Sequence, residues 1–143
     1  MSTRKYLFFI CIMIAALVTG CSADRKNSAD SKNDITMFVA TDIHYFSKDL
    51  YDNGVAFQTY LDTSDGKLLK YSDEIVSSFS NDISKEKPEV LIISGDLTNN
   101  GEKESHVQLA EKLKEIEEMG TSVFVIPGNH DILNPWAREI KGE

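Results

Sequence analysis

The sequence predicts an α/β domain running strand, helix, strand, helix, strand, and three observations carry that prediction. Three short apolar runs stand apart in the chain: Ile35–Ala40 (ITMFVA), Val90–Ser94 (VLIIS) and Val123–Ile126 (VFVI). Each is brief and rich in β-branched residues, the pattern of a strand buried in a parallel sheet. Between the runs lie stretches with apolar residues at three- and four-residue steps, the period of an amphipathic helix. Each run also ends in donor-bearing residues: Thr41-Asp42-Ile43-His44, Gly95-Asp96 and Pro127-Gly128-Asn129-His130-Asp131. Parallel units of this kind take right-handed crossovers and carry their sites at the carboxyl ends of the strands.

The totals bound what else the chain can be. With 143 residues it is one domain at most. Its formal charge is -8, and loss of a segment holding Arg4 and Lys5 but no acid would deepen that by two. Such a balance gives no general attraction for nucleic acid, and a phosphate bound here needs local cations. The only cysteines are Cys11 and Cys21, so the body of the chain has no disulfide framework or thiolate metal site.

Taken in order, residues 1–21 read as a targeting segment. Arg4 and Lys5 precede the apolar run Leu7–Val18, whose twelve residues are short for a membrane span and fit a secretory signal core. The run closes on Val18-Thr19-Gly20-Cys21, which resembles a bacterial lipobox. That resemblance implies cleavage before Cys21, lipid attachment to its sulfur and an extracytoplasmic protein anchored to a bacterial membrane. Ser22 after the cysteine is compatible with outer-membrane sorting where two membranes exist. A plain signal peptide and a single membrane anchor are the alternatives. Residues 22–34 are small and polar and read as a flexible tether, with the domain occupying 35–143.

Tyr45–Gly66 is a long connection carrying Tyr45, Phe46, Tyr51, Phe57 and Tyr60. These rings either line a substrate pocket or pack over the sheet. A helix is predicted from Lys67 to about Lys85, with Leu68, Leu69, Ile75, Val76, Phe79 and Ile83 inward and Pro88 as its stop. A second is predicted from Lys103 to Met119, with Val107, Ala110, Leu113 and Ile116 inward and Gly120 at its end. Asn134-Pro135-Trp136 looks like the opening of a further helix.

Each donor-bearing turn is weak evidence alone. Glycine, asparagine and aspartate are ordinary turn formers, and Asp42-Ile43-His44 also reads as a helix cap beside a surface histidine. Together they differ: two of the three histidines, His44 and His130, fall just past strand ends within two residues of an aspartate. Carboxylate, imidazole and amide oxygen on one edge suit manganese, iron, zinc or similar ions. Asp42 and Asp96 brought together without cations would repel, and a dinuclear metal centre removes that cost. His106, one residue before Val107, reads as a partly exposed helix residue.

The ordered set D-x-H, G-D and G-N-H-[DE], here Asp42-Ile43-His44, Gly95-Asp96 and Gly128-Asn129-His130-Asp131, resembles that of the calcineurin-like metallophosphoesterases. The resemblance runs from about Ile35 to the end. It implies a hydrolase of phosphoesters, phosphatase or phosphodiesterase, using two divalent or trivalent ions. It further implies that Asp42 and His44 bind the first ion, Asp96 bridges both and Asn129 binds the second. His130 would contact the scissile phosphate and protonate the leaving group, and Asp131 would orient His130.

The family pattern continues with a further metal-binding histidine and a G-H-x-H block, whereas no histidine follows His130 here. The fold implied is therefore the amino-terminal β-α-β-α-β half of an αββα sandwich, either a truncated fragment or one completed by a partner chain. Such a half would expose apolar sheet, dissolve poorly, bind metal weakly and turn over little. A non-catalytic surface lipoprotein that keeps the motif turns as relics is the alternative function. An unrelated nucleotide-binding domain is disfavoured, since Thr41-Asp42-Ile43-His44 stands where its glycine-rich loop belongs.

Overall fold

Strands β1 (Met37–Thr41), β2 (Val90–Gly95) and β3 (Ser122–Pro127) form one sheet in the order β1-β2-β3, parallel at both junctions. They belong to a computed structural model that describes residues 34–64 and 66–142. The expected signal segment, Cys21 and nearly all of the tether lie outside the described residues. Three helices accompany the sheet: α1 (Val55–Thr63), α2 (Ser72–Glu86) and α3 (Lys103–Glu118). The predicted alternation of strand and helix is thus the observed one, with α1 as an addition.

In register, Thr41 pairs with Ser94 and Ser94 with Ile126, so the residues that follow all three strands emerge at one level. The pairing of β1 with β2 continues past the strand ends. Asp42 N–H donates to Ser94 O, His44 N–H to Asp96 O and Tyr45 N–H to Leu97 O. That continuation, rather than side-chain attraction, sets Asp42 and His44 beside Asp96.

Side chains alternate across the sheet. Leu91 and Ile93 are fully buried under α2 and α3, in a core with Tyr45, Val76, Ile83, Leu109 and Ile116. On the opposite face Val39 is 64% exposed and Phe124 and Ile126 are each 58% exposed. The strands are therefore buried on one side only. The bare side is the apolar surface the sequence anticipates, of a kind that promotes association.

The helix faces differ from the predicted ones in rotation. Leu69, Val76 and Ile83 are buried as expected, but Leu68 and Ile75 are exposed. Leu68 precedes a separate 3-10 turn, Leu69–Tyr71, and Ile75 lies on the outer face of α2 beside the buried Val76. In α3 the inward stripe is Ser105, Leu109, Leu113 and Ile116, while Val107 and Ala110 face out. The expected stripe missed Ser105 because its hydroxyl, buried, takes the Ser47 N–H. Helix ends follow local chemistry: Lys87 is left-handed (φ 48°) just before Pro88, and Gly120 takes φ 102° after α3.

The long connection is not irregular throughout. It contains α1, whose single buried residue, Phe57, left no periodic signal. Phe57 stacks on Tyr51 at 4.0 Å and on Phe46 at 6.3 Å, in a second core with Leu50, Leu69 and Ile140. Most of the loop aromatics therefore pack, and Tyr60 alone of the five lines a cavity near His130. No helix follows Asn134 among the described residues. The Asn134 side chain instead accepts the Trp136 N–H, and Ile140 N–H pairs with Leu50 O.

Asp73 staples the layers. Its carboxylate takes Lys112 at 2.9 Å from α3, Lys48 at 3.0 Å and the Tyr45 hydroxyl at 3.1 Å. Chiefly through the Lys112 hydrogen bond, its pKa falls from 3.8 to about 2. A lowered carboxylate pKa adds stability that is complete above 3.8 and lost as pH falls through about 2. Asp73→Asn should therefore cost about 1–2 kcal/mol at neutral pH, with the gap to wild type closing through that acid window. Urea unfolding at a series of pH values checks it.

Candidate metal centre

The cluster gathers at the shared carboxyl edge. His44 Nε2 lies 3.8 Å from Asp96 Oδ2, and His130 Nε2 lies 4.0 Å from the same oxygen. One ligand atom from each of His44, Asp96 and His130 falls within 4.8 Å of the others, close enough to share an ion. The two imidazoles meet edge to face at 5.4 Å.

Asp96 is buried and sits at the middle. Its Oδ1 accepts the His130 N–H at 2.9 Å, and its own N–H donates to Asp42 Oδ1 at 3.2 Å. Asp42 (φ 54°) and His44 (φ 48°) both take left-handed backbone. Non-glycine residues held there cost about 1–3 kcal/mol each and cluster at functional sites. Glycine is required twice beside them. A Cβ on Gly95, which has φ 82°, would strike the Asp42 carboxylate, and one on Gly128 would strike that of Asp96.

His44 is the most telling residue. Its Nδ1 is buried without a hydrogen-bond partner, an arrangement that costs free energy unless something fills it. Burial, then the charge of Lys67, holds its pKa below the ordinary 6.5, which keeps the ring neutral with a lone pair to give.

The site residues expected from sequence are not equally placed. Asp42, His44, Asp96 and His130 converge. Asn129 sits exposed in the same turn, next to His130. Asp131 points elsewhere: its carboxylate accepts the N–H groups of Leu97, Thr98 and Gly128 and the Thr98 hydroxyl, at 2.7–2.9 Å. Burial would raise its pKa, but these donors outweigh it and leave the carboxyl below its ordinary value. Among the described residues Asp131 and His130 share no side-chain hydrogen bond. His130 Nδ1 rests instead 2.6 Å from Asn99 O and 3.1 Å from Asn100 Oδ1.

His106, part-exposed as expected, brings Nε2 to 3.7 Å from Asp131. Asn99, Asn100 and Lys67 went unnoticed in the sequence. The two asparagines follow Gly95-Asp96 within five residues, but nothing in their spacing distinguishes them from loop polarity.

Fold and site together define an α/β domain with a carboxylate–imidazole cluster at the carboxyl ends of its strands. Compared with known families, residues 35–142 match the calcineurin-like phosphoesterase family, and the chain belongs to it. Its members are phosphoester hydrolases that bind divalent metals, and the cluster fits such an ion in donor type and spacing. No curated protein matches the chain significantly.

Proposed function

We propose that the protein is a metal-dependent phosphoester hydrolase with a dinuclear centre, and that these 143 residues alone retain metal weakly and turn over little. The observation that supports this most is that one carboxyl edge brings His44 and Asp96 together as ion donors and sets His130 beside them, 4.0 Å from Asp96, as the proton donor. Asp42, His44, Asp96 and Asn129 would hold manganese, iron or zinc ions. Bound there, such ions supply Lewis acidity toward phosphate oxygens and compensate the facing carboxylates. The weakness follows from the donor set, which offers two carboxylates, one amide and one imidazole for two ions.

The chain's own proton chemistry lies at His130. A carbonyl oxygen can only accept, so the hydrogen bond to Asn99 O places a hydrogen on Nδ1. Nε2 is thereby left to face Asp96 and the cluster. A hydrogen carried on Nε2 can be donated to a departing alkoxide beside Asp96, whose Oδ2 lies 4.0 Å away. A positioned acid of this kind typically contributes about 10²–10⁴-fold.

Calorimetric titration of the full chain with manganese should show binding that His44→Ala and Asp96→Asn weaken at least about tenfold. Slow hydrolysis of bis-p-nitrophenyl phosphate should accompany it and disappear in His130→Ala. Binding indifferent to both cluster variants would remove the reading. One observation favours a second reading, a non-catalytic module: the Asp131 carboxylate is taken up by three backbone N–H groups and the Thr98 hydroxyl, as a staple between two turns. Metal binding without turnover at any pH selects it.

Residues 1–21 are proposed as a lipoprotein signal, with lipidated Cys21 holding residues 35–143 outside a bacterial membrane on the 22–34 tether. Cys21→Ser should move the protein from the membrane to the soluble fraction. Unchanged partitioning refutes the anchor.

A further inference from the structure

On the Nδ1 side of His130 three segments of the chain meet in an amide network. Helix α1 contributes Tyr60, the turn after β2 contributes Asn99 and Asn100, and the segment beyond the β3 turn contributes Asn134.

The hydrogens of this network follow by elimination. Asn99 O can only accept, so His130 Nδ1, 2.6 Å away, carries a hydrogen. Asn134 Oδ1 takes the Trp136 N–H at 3.0 Å, which turns the Asn134 N–H₂ group toward Asn100 at 3.2 Å. Two obligate donors, the His130 ring and the Asn134 amide, thus point at one atom of Asn100, and that atom must be Oδ1. The Asn100 N–H₂ group is left facing the Tyr60 hydroxyl at 3.2 Å, where Asn99 Nδ2 also donates at 2.9 Å. The Asn100 backbone is fixed too, its N–H given to the buried Glu102 carboxylate at 3.0 Å.

A side chain bonded at both ends of its amide has one orientation open to it. Asn99 O alone settles which ring nitrogen bears the hydrogen, but it leaves the ring free to tilt about that bond. Asn100 Oδ1, a second acceptor at 3.1 Å, removes the tilt. What is held in place on the opposite side is Nε2, 4.0 Å from Asp96 Oδ2. Aim matters there, since a misplacement of about 1 Å can cost about 10²-fold in rate.

We propose that Asn100, anchored by Tyr60 and Asn134, is the positioning residue of His130. Given the hydrolase reading above, it acts through the ring: it shares the Nδ1 hydrogen with Asn99 O and keeps Nε2 aimed at the leaving group beside Asp96. Helix α1, remote in sequence from the motif turns, thereby supports the proton transfer through one phenol oxygen.

The metal-free full chain, ¹⁵N-labelled in histidine, is followed by NMR at about pH 8, where imidazoles are neutral. His130→Ala identifies the ring signals by their loss. In wild type the hydrogen of His130 should sit on Nδ1 and exchange slowly with water. Asn100→Ala should speed that exchange about fivefold, the factor one ordinary hydrogen bond carries. Tyr60→Phe should act in the same direction, by freeing the amide to turn. Asn100→Asp should restore wild-type exchange, because it keeps an oxygen on the ring and the Tyr60 hydroxyl can turn to donate to the other. Backbone amides of β2 in the same samples read global stability. Acceleration confined to the ring, with rescue by Asn100→Asp, supports positioning. Equal acceleration of the β2 amides overturns it, by making Asn100 a structural residue only. So does an unchanged ring in Asn100→Ala or Tyr60→Phe, a failed rescue, or a wild-type hydrogen on Nε2. Hydrolysis by the manganese-loaded wild type is measured apart: its absence removes the hydrolase reading, while the ring signals still decide the place of Asn100.

Discussion

Asp131→Asn should lower the stability of the domain by about 3 kcal/mol, since hydrogen bonds to a buried charge are worth about 1.5–3 kcal/mol each and add imperfectly. The side chain is 1% exposed and is shared by four donors on two segments, the turn after β2 and the turn after β3. The amide keeps one acceptor but turns an N–H₂ group toward N–H groups that need an oxygen. A carboxylate with a lowered pKa contributes above its unfolded value and loses that contribution as pH falls through its folded one. The variant should therefore converge with wild type in acid. Denaturant unfolding at neutral and acidic pH measures both effects, and an unchanged midpoint at neutral pH would show that the staple is dispensable.

Gly128→Ala should cost more in metal binding than in folding. Its Cβ would occupy the position of Asp96 Oδ1 and press on the backbone of Gly95 and Asp96 at 2.7 Å. The flexible partner in that clash is the carboxylate, so the central ligand moves. Disturbing residues that orient metal ligands typically costs about 10–100-fold in affinity, and overpacking about 1–3 kcal/mol. Manganese titration beside a thermal melt separates the two. Full affinity in a folded Gly128→Ala protein would argue that Asp96 is not the central ligand.

The three strands and the donors at their ends were legible because both are short-range patterns. Three β-branched runs each stop at residues that turn the chain, and parallel pairing does the rest. What escaped detection depends on tertiary contact. Helix α1 has one inward residue, so no window of its sequence carries a period, and its rings are ordered by stacking on Phe46 and Tyr51. Leu68 and Ile75 are each adjacent to a buried apolar residue, Leu69 and Val76, and spacing alone does not show which of the two neighbours faces solvent. In the site, His130 Nδ1 bonds to the carbonyl of Asn99, and a backbone group has no signature in a sequence.

The donors of the cluster come from segments far apart along the chain: Asp42 and Asp96 are separated by 54 residues, and Asp96 and His130 by 34. Neither pair meets until a whole crossover has closed, so the centre is absent from every partly folded form and arises only as the third strand docks. A cation captured there would recognise the finished chain alone, and at a hundredfold excess over its dissociation constant would shift the folding equilibrium by roughly 2.7 kcal/mol. The cluster would then serve as a clasp for both crossovers, coupling the lifetime of the native state to the supply of ions around it.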